Sequence, residues 1–162
     1  MRKVALVLTY NRLALLKECI KGIEAQEEKL DKLYIVNNSS TDGTKEYLKR
    51  KVFKIETEVI NNDINSGGAG GFRLGMNYIQ QKDKGLDYLW IMDDDVVPDK
   101  ECLKEMLKHR HVSECIHPTR YSYEGVEYKW HYLYDMPSGR RVDLSESKVH
   151  VSNDIYFFNL IR

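Results

Sequence analysis

The stretch Val4-Ala-Leu-Val-Leu-Thr9, followed by the polar turn Tyr10-Asn-Arg12, decides the fold class of this 162-residue chain. The apolar run is short and unbroken, which is typical of a strand covered on both faces. Asn11 is the predicted N-cap of a helix that follows the turn. The apolar positions of this helix recur at intervals of three and four, as on one face of an amphipathic helix: Leu13, Leu16, Ile20 and Ile23.

The unit of strand, turn and helix repeats three more times. Three further apolar runs predict strands: Leu33-Tyr-Ile-Val36, Val59-Ile60 and Tyr88-Leu-Trp-Ile-Met92. Helical patterns follow them: from Thr44 to about Lys51, from Phe72 through Ile79, and after Pro98. Strands that alternate with helices predict an α/β fold with a mainly parallel sheet flanked by helices.

After His117 the pattern becomes β-rich. Aromatic and apolar residues alternate with polar ones and predict one half-buried strand, between turns at Glu124-Gly125 and Pro137-Ser-Gly139. We therefore expect a single domain, with an α/β core over residues 1–117 and a β-rich extension over 118–162. The aromatic face fits either a platform for sugar rings or a sheet face covered by other residues, and an uncovered face predicts homo-oligomers. The alternating residues are Val126, Tyr128, Trp130, Tyr132 and Tyr134.

Composition excludes several classes of protein. Twenty-five Lys and Arg balance twenty-five Asp and Glu, so the chain lacks the basic field typical of nucleic-acid binding. The opening apolar run is far shorter than a membrane span, so we expect no transmembrane segment and a cytoplasmic location. Cys19, Cys102 and Cys115 form no C-x-x-C pair, which favours reduced thiols over a disulfide framework or a zinc knuckle.

An acidic triplet, Asp93-Asp-Asp95, ends the fourth predicted strand. Because side chains alternate along a strand, Asp93 and Asp95 are expected to point to the same side. Their mutual repulsion favours a bound cation, and oxygen ligands favour Mg²⁺ or Mn²⁺, whose remaining ligands are commonly water and phosphate. The triplet therefore predicts a diphosphate site. The alternative is that Asp94, Asp95 and Asp99 cap the following helix.

A glycine-rich stretch, Asn65-Ser-Gly-Gly-Ala-Gly-Gly71, precedes the third helical pattern. It lacks the spacing of the dinucleotide fingerprint and the Lys of the P-loop. Glycines at a helix start fit a loop that brings main-chain N–H groups to a ligand, and they fit close helix packing equally well.

Taken in order, four motifs resemble the signatures of family 2 glycosyltransferases of the GT-A fold, in particular their rhamnosyltransferase and galactofuranosyltransferase branch. The resemblance extends roughly over residues 3–110. It implies a Rossmann-like donor-binding fold. The four motifs are Thr9 to Arg12, Val36 to Thr44, Asn65 to Phe72 and Asp93 to Asp95.

The resemblance also implies roles for individual residues. Asp93 and Asp95 would form a D-x-D pair that holds Mg²⁺ or Mn²⁺, and Asp42 would also brace its own loop. Asn37 stands where the family often has Asp. The residues expected to bind the nucleotide sugar are Thr9, Asn11, Arg12, Asn38, Asp42, Asn65, Gly70, Arg73, Asp93 and Asp94.

The reaction implied is inverting, metal-dependent transfer of a sugar from a nucleotide-diphosphate donor to a hydroxyl of a glycan acceptor, in cell-surface polysaccharide synthesis. Such a chain would be cytoplasmic or peripheral to the inner face of the membrane. The family's base follows a strand that resembles Tyr156 to Arg162, where this chain stops, so the catalytic base is unknown and its segment is expected to be missing.

Two other functions remain open from the sequence. A chain without the base is a nucleotide-sugar-binding module without turnover. A Mg²⁺-dependent phosphoryl-transfer enzyme also uses aspartates at strand ends, but it leaves the Asn65 to Gly71 stretch unexplained.

Overall fold

A computed structural model describes residues 1–111, 116–118, 120–122, 124–128, 132–135, 140–143 and 160–161. Over these residues the secondary structure alternates as expected and then becomes β-rich. In chain order the elements are β1 (Lys3–Thr9), α1 (Leu13–Glu24), β2 (Lys32–Asn37), α2 (Thr44–Arg50), β3 (Thr57–Asn61), α3 (Gly67–Lys82), β4 (Tyr88–Asp93), α4 (Cys102–Lys108), β5 (Arg120–Tyr121), β6 (Glu127–Tyr128), β7 (Tyr132–Asp135), β8 (Arg140–Asp143) and β9 (Leu160–Ile161).

The main sheet has the strand order β3-β2-β1-β4-β9. Strands β1 to β4 are parallel, and β9 pairs with β4 in the antiparallel direction. The predicted α/β class with a mainly parallel sheet is therefore confirmed. Because β1 and β2 lie inside the sheet with helices on both faces, their sequences are apolar without interruption.

Alternate residues of β1 and β2 divide between two hydrophobic clusters. On one face, Ala5 and Val7 pack in a cluster with residues of α1 and α4. On the other face, Leu6 and Leu8 pack in a second cluster with Ile79 of α3. The sheet therefore lies between α1 and α4 on one side and α3 on the other, and its two layers of side chains are both buried.

The start of α1 differs from the sequence prediction. Asn11 is not the N-cap, because the cap position is Arg12 and no side chain caps the helix there. Asn11 has a left-handed backbone (φ 52°), and its side-chain oxygen accepts a hydrogen bond from Thr41 N at 2.7 Å. Leu13 N donates instead to the Asp42 carboxylate at 2.9 Å. A loop distant in sequence therefore supplies the acceptor for this N–H group of the first helical turn.

The start of α3 also differs from the sequence pattern. Its apolar spacing begins at Phe72, whereas the helix begins at Gly67, inside the glycine-rich stretch. The reason is packing: a Cβ added at Gly71 would lie 2.4 Å from Leu8 Cδ1, so only glycine lets this turn approach β1. Close helix packing therefore accounts for Gly71.

The β-rich part contains two separate hairpins in the described residues. β5 and β6 pair around Glu124 and Gly125, which confirms that turn. β6 and β7 belong to different two-stranded sheets, and residues 129–131 lie outside the described residues, so one strand through Val126 to Tyr134 stays a prediction. The Pro137-Ser-Gly139 turn, the Trp130 ring and Cys115 lie outside the described residues.

None of the helices in the described part of the chain has both the length and the apolar character needed to cross a lipid bilayer. Cys19 and Cys102 are free thiols, as expected from their spacing.

Candidate functional site

The polar ends of the four parallel strands form one row at the carboxyl edge of the sheet. In the register, Thr9 pairs with Asn37 and Asn37 pairs with Asn61, while Asp93 pairs with Leu8 on the other side of β1. Ligands bind at this edge in open α/β sheets, outside the carboxyl ends of the strands. The topology therefore brings three of the predicted polar clusters together here, and α3 adds the fourth from one face.

The acidic triplet at the end of β4 contains two exposed carboxylates and one buried carboxylate. Asp93 and Asp95 are exposed and Asp94 has no exposed surface. Because β4 ends at Asp93, the expectation that Asp93 and Asp95 point to the same side stays a prediction. Asp94 Oδ2 accepts a hydrogen bond of 2.6 Å from the Thr9 hydroxyl. Its Oδ1 lies 3.2 Å from Arg12 Nε but is not aligned for a hydrogen bond with it.

The helix-capping alternative is wrong for Asp94 and Asp95. Helix α4 begins at Cys102 without a side-chain cap, and Asp94 and Asp95 contact Thr9 and Arg12 instead. Asp99 alone stays near α4, where its carboxylate accepts from Glu101 N at 2.9 Å.

Arg12 is the cation of this cluster. Its Nη1 donates to Asp95 Oδ2 at 2.7 Å while its Nε faces Asp94, so one guanidinium bridges two carboxylates. Partial loss of hydration by the surrounding protein and the negative charges of Asp95 and Asp94 raise the pKa of Asp93 above its usual value. Burial also raises the pKa of Asp94, although the Thr9 hydroxyl and Arg12 oppose this. One guanidinium therefore leaves the cluster with uncompensated negative charge.

The cluster fits a hard divalent cation, although no three metal-ligating side chains converge within the described ranges. Because Asp94 faces inward to Thr9 and Arg12, only Asp93 and Asp95 could supply oxygens from the exposed side. No hydrogen bond or ion pair with another described residue engages the Asp93 carboxylate. Two carboxylates with open positions for water and phosphate are the usual protein contribution to a Mg²⁺ site.

Two loops at this edge are joined by side-chain hydrogen bonds. Asn11 accepts a hydrogen bond from Thr41 N. The Asp42 carboxylate accepts one hydrogen bond from Leu13 N and another, of 2.6 Å, from the Thr44 hydroxyl, and so connects the start of α1 to the loop before α2. Desolvation disfavours the charged form of Asp42, but the hydrogen bonds from Thr44 and Leu13 outweigh it and lower the pKa. These contacts agree with the expected bracing role of Asp42, while its contact with a nucleotide stays a prediction.

Asn38 is buried, and its side chain binds only the loop before α3. Its Nδ2 donates to Asn65 Oδ1 at 2.8 Å and to Gly67 O at 3.2 Å. Its Oδ1 accepts from Asn62 Nδ2 at 2.9 Å and from the backbone and hydroxyl of Ser66. Because an amide has two donor protons and two acceptor lone pairs, these bonds use its full capacity. Asn38 therefore positions the start of α3 from the end of β2.

Gly70 and Arg73 line a groove of about 290 Å³ beside α3, together with Asn62, Ile64 and Leu74. This groove borders the end of β3, whereas the acidic triplet follows β4, and β1 and β2 lie between these strands. The contact of Gly70 and Arg73 with a donor stays a prediction.

Neither Asn62 nor Ser66 was predicted as a site residue, although Ser66 lies inside the glycine-rich stretch; both hold Asn38, and they contact each other at 3.1 Å. The polar pair Asn61-Asn62 at the end of β3 is the signal that could have revealed them, because polar residues at a strand end had already identified the other loops.

Comparison with known proteins agrees with this geometry. Galactofuranosyltransferase GlfT1 of Mycolicibacterium smegmatis is 32% identical over 108 residues, which cover 66% of this chain and 34% of the relative. GlfT1 of Mycobacterium tuberculosis (strain CDC 1551 / Oshkosh) is 34% identical over 94 residues, which cover 56% of this chain and 29% of the relative. The chain thus spans about a third of the length of these curated relatives.

Solved structures share the fold. S. aureus TarS 1-349, in complex with UDP-GlcNAc, has a TM-score of 0.62 and 22% identity, over 76% of this chain and 36% of that one. The mannosyltransferase PcManGT of Pyrobaculum calidifontis, in complex with GDP-Man and Mn²⁺, has a TM-score of 0.62 and 21% identity, over 75% of this chain and 36% of that one.

The sequence model of one protein family, Glycosyl transferase family 2, matches residues 5–162 of this chain. This match covers nearly the whole chain and agrees with the parallel sheet and with the polar row at its carboxyl edge. The chain belongs to Glycosyl transferase family 2.

Proposed function

We propose that this chain binds a nucleotide-diphosphate sugar and serves the inverting, metal-dependent transfer of that sugar to a hydroxyl of a glycan acceptor, in cell-surface polysaccharide synthesis. The observation that carries the proposal is the acidic cluster: Asp93 and Asp95 are exposed at the ligand-binding edge, and one guanidinium, that of Arg12, serves Asp94 and Asp95 together. A divalent cation supplies the positive charge that such a cluster lacks, and the bound cation in turn attracts a diphosphate.

The family and its members support the class of donor. The curated relatives are galactofuranosyltransferases, and the neighbouring structures hold UDP-GlcNAc or GDP-Man. We propose a nucleotide-diphosphate sugar for this chain on that basis, with residues 1–117 as the donor-binding core and 118–162 as the extension. A cytoplasmic or membrane-peripheral location would give this core access to such donors, and the homo-oligomer expected from the aromatic face stays a prediction.

In the proposed reaction, Asp93 and Asp95 would hold Mg²⁺ or Mn²⁺, which supplies a Lewis acid for the charge that develops on the leaving diphosphate. Thr9 and Asp94 fix the Arg12 guanidinium at the same edge. Asn11, Asp42 and Asn38 hold the surrounding loops in place. Asn65, Gly70 and Arg73 would contact the donor from the α3 side. The acceptor hydroxyl also requires a base, which we do not assign.

Calorimetric titration with UDP, GDP and dTDP, with and without Mn²⁺, tests the proposal. We expect one of the three to bind, and to bind more tightly with Mn²⁺. Asp95→Asn should abolish this metal dependence, because an amide keeps the shape of the side chain but loses the charge that the cation requires. Asp87→Asn is the matched control, since it removes an exposed carboxylate at the opposite edge of the sheet.

The outcomes separate the candidate functions. Failure of all three nucleotides to bind with Mn²⁺ present would contradict the proposal. An unchanged metal response in Asp95→Asn would remove the triplet from the metal site. Metal-dependent binding without transfer to any glycan acceptor would identify a donor-binding module without turnover.

A further inference from the structure

Arg12 contacts two carboxylates that differ in their exposure to water. Asp94, which faces Nε at 3.2 Å, has no exposed surface. The side chains of Asp95 and Arg12, which are joined through Nη1 at 2.7 Å, are each 46% exposed. One guanidinium thus takes part in a buried ion pair and in an exposed one.

The two ion pairs differ in how easily they separate. An exposed pair is weak, because water competes for both charges and the side chains lose freedom when they pair. A buried carboxylate that loses its cation is left uncompensated, and this is strongly unfavourable. Asp94 depends on Arg12 in particular, because its Oδ1 has no hydrogen bond. Arg12 can therefore leave Asp95 at low cost while it stays with Asp94.

The position of Arg12 conflicts with the proposed use of Asp95. The oxygen that bonds Nη1 belongs to one of the two carboxylates on the exposed side of the cluster. A guanidinium and a divalent cation on the same carboxylate repel each other. This repulsion favours separation of Nη1 from Asp95 when Asp95 binds the cation, and Nη1 then needs a new anionic partner at the same edge. The diphosphate of the donor is an anion of the required kind.

We propose, on the basis of the proposed function, that Arg12 is the resident counter-charge of Asp95 and passes to the donor diphosphate when Asp95 binds the divalent cation. Asp94 is then a positioning residue: it anchors Nε while Nη1 changes partner. Cation and nucleotide bind cooperatively, because the cation releases Arg12 and the nucleotide gives the released guanidinium a partner. This coupling is reciprocal, as linkage requires.

The first test measures Mn²⁺ binding without nucleotide, from the electron paramagnetic resonance signal of free Mn²⁺. Arg12→Gln should bind Mn²⁺ about two- to fivefold more tightly than the unsubstituted chain, since the cation no longer competes with an exposed ion pair. Arg12→Lys should also bind more tightly, because one ammonium replaces the two nitrogens that bridge the carboxylates. Arg50→Gln is the matched control: it removes an exposed arginine at the end of α2, and its Mn²⁺ affinity should not change.

The second test repeats the titration with saturating UDP, GDP or dTDP, whichever binds the unsubstituted chain. The factor by which the nucleotide tightens Mn²⁺ binding should be smaller in Arg12→Gln, again by about two- to fivefold. A residue that only stabilises the fold would not change this factor. The circular dichroism spectrum of each variant establishes that it is folded.

Three results would overturn the inference. Mn²⁺ affinity that is unchanged or weaker in Arg12→Gln means that Arg12 does not compete with the cation. If Arg12→Lys binds Mn²⁺ with the same affinity as the unsubstituted chain, net charge and not contact with Asp95 determines that affinity. An unchanged coupling factor means that Arg12 does not pass to the nucleotide. Absence of Mn²⁺ binding in every variant, with nucleotide present, contradicts the proposed function as well.

Discussion

At the scale of single residues, the site depends on buried polar groups. Thr9 is buried, and its hydroxyl donates a hydrogen bond of 2.6 Å to the carboxylate of Asp94, which is itself fully buried. A buried charge without such a partner is costly, so the hydroxyl stabilises both the fold and the orientation of Asp94. Thr9 therefore acts on Arg12 through Asp94.

Replacement of Thr9 by Val tests this dependence. Thr9→Val should lower the free energy of unfolding by about 1–3 kcal/mol at pH 7, because it leaves the buried Asp94 oxygen without its donor. Thr9→Ser keeps the hydroxyl and loses one methyl group, so it should cost about 1 kcal/mol or less. Urea unfolding of the two variants measures the difference. Equal free energies of unfolding for Thr9→Val and Thr9→Ser would contradict the role of the hydroxyl.

At the scale of elements, the position of α3 on the sheet is set by two glycines, Gly71 and Gly75. A Cβ at Gly75 would lie 2.7 Å from Leu6 Cδ1 and 2.9 Å from Val36 Cγ2, which belong to two different strands. Because these side chains are fully buried, they have no free volume into which to move. The close approach in turn sets where the N-terminus of α3 meets Asn38.

Gly75→Ala should therefore destabilise the chain, by about 1–3 kcal/mol from overpacking, less the gain of about 1 kcal/mol in helix propensity. Gly68→Ala is the matched control in the same helix, since a Cβ there meets nothing within 4 Å. We expect Gly68→Ala to be neutral or to stabilise by about 0.5 kcal/mol. Chemical denaturation of both variants gives the comparison, and a stabilised Gly75→Ala would show that α3 can shift on the sheet.

At the scale of the whole molecule, the two edges of the sheet perform separate tasks. The amino edge carries a network in which Asp83, at the end of α3, accepts hydrogen bonds from the Arg2 guanidinium and, at 3.3 Å, from the Tyr34 hydroxyl. These contacts join the segment before β1, strand β2 and helix α3. The carboxyl edge carries the candidate site, so changes at Asp83 should alter stability and leave nucleotide binding intact.

The Arg2 hydrogen bond lowers the pKa of Asp83, and stability therefore depends on pH. Because the folded-state pKa is lowered, the stabilisation is present above the unfolded-state value of about 3.9 and is lost as pH falls through the folded-state value. Asp83→Asn should cost about 1–2 kcal/mol at pH 7, toward the low end because Arg2 is partly exposed. The difference from the unsubstituted chain should shrink below about pH 4.

Thermal unfolding followed from pH 3 to pH 7 measures this effect. Asp87→Asn removes an exposed carboxylate that also contacts Arg2, and it should cost about 0.5 kcal/mol or less. A cost for Asp83→Asn that does not change with pH would show that its charge is not what stabilises the fold.

The sequence by itself determined the order of elements and the alternation within the acidic triplet. Both follow from local periodicity: apolar runs covered on both faces, helical spacing, and side chains that alternate along a strand. The exposed Asp93 and Asp95 on either side of the buried Asp94 agree with this alternation. The beginning of α3 escaped this reasoning, because glycines carry no apolar signal and their packing against β1 is not local.

Only the tertiary structure decided which groups meet. Arg12 and Asp95 are 83 positions apart, and Asn38 and Asn65 are 27 apart. No periodicity connects such pairs, so the saturation of the Asn38 amide and the bridging position of Arg12 could not be read from spacing. They depend on strand order and on the packing of α3, which bring distant loops to one edge. The sequence thus supplied the chemical groups of the site, and three-dimensional packing determined their partners.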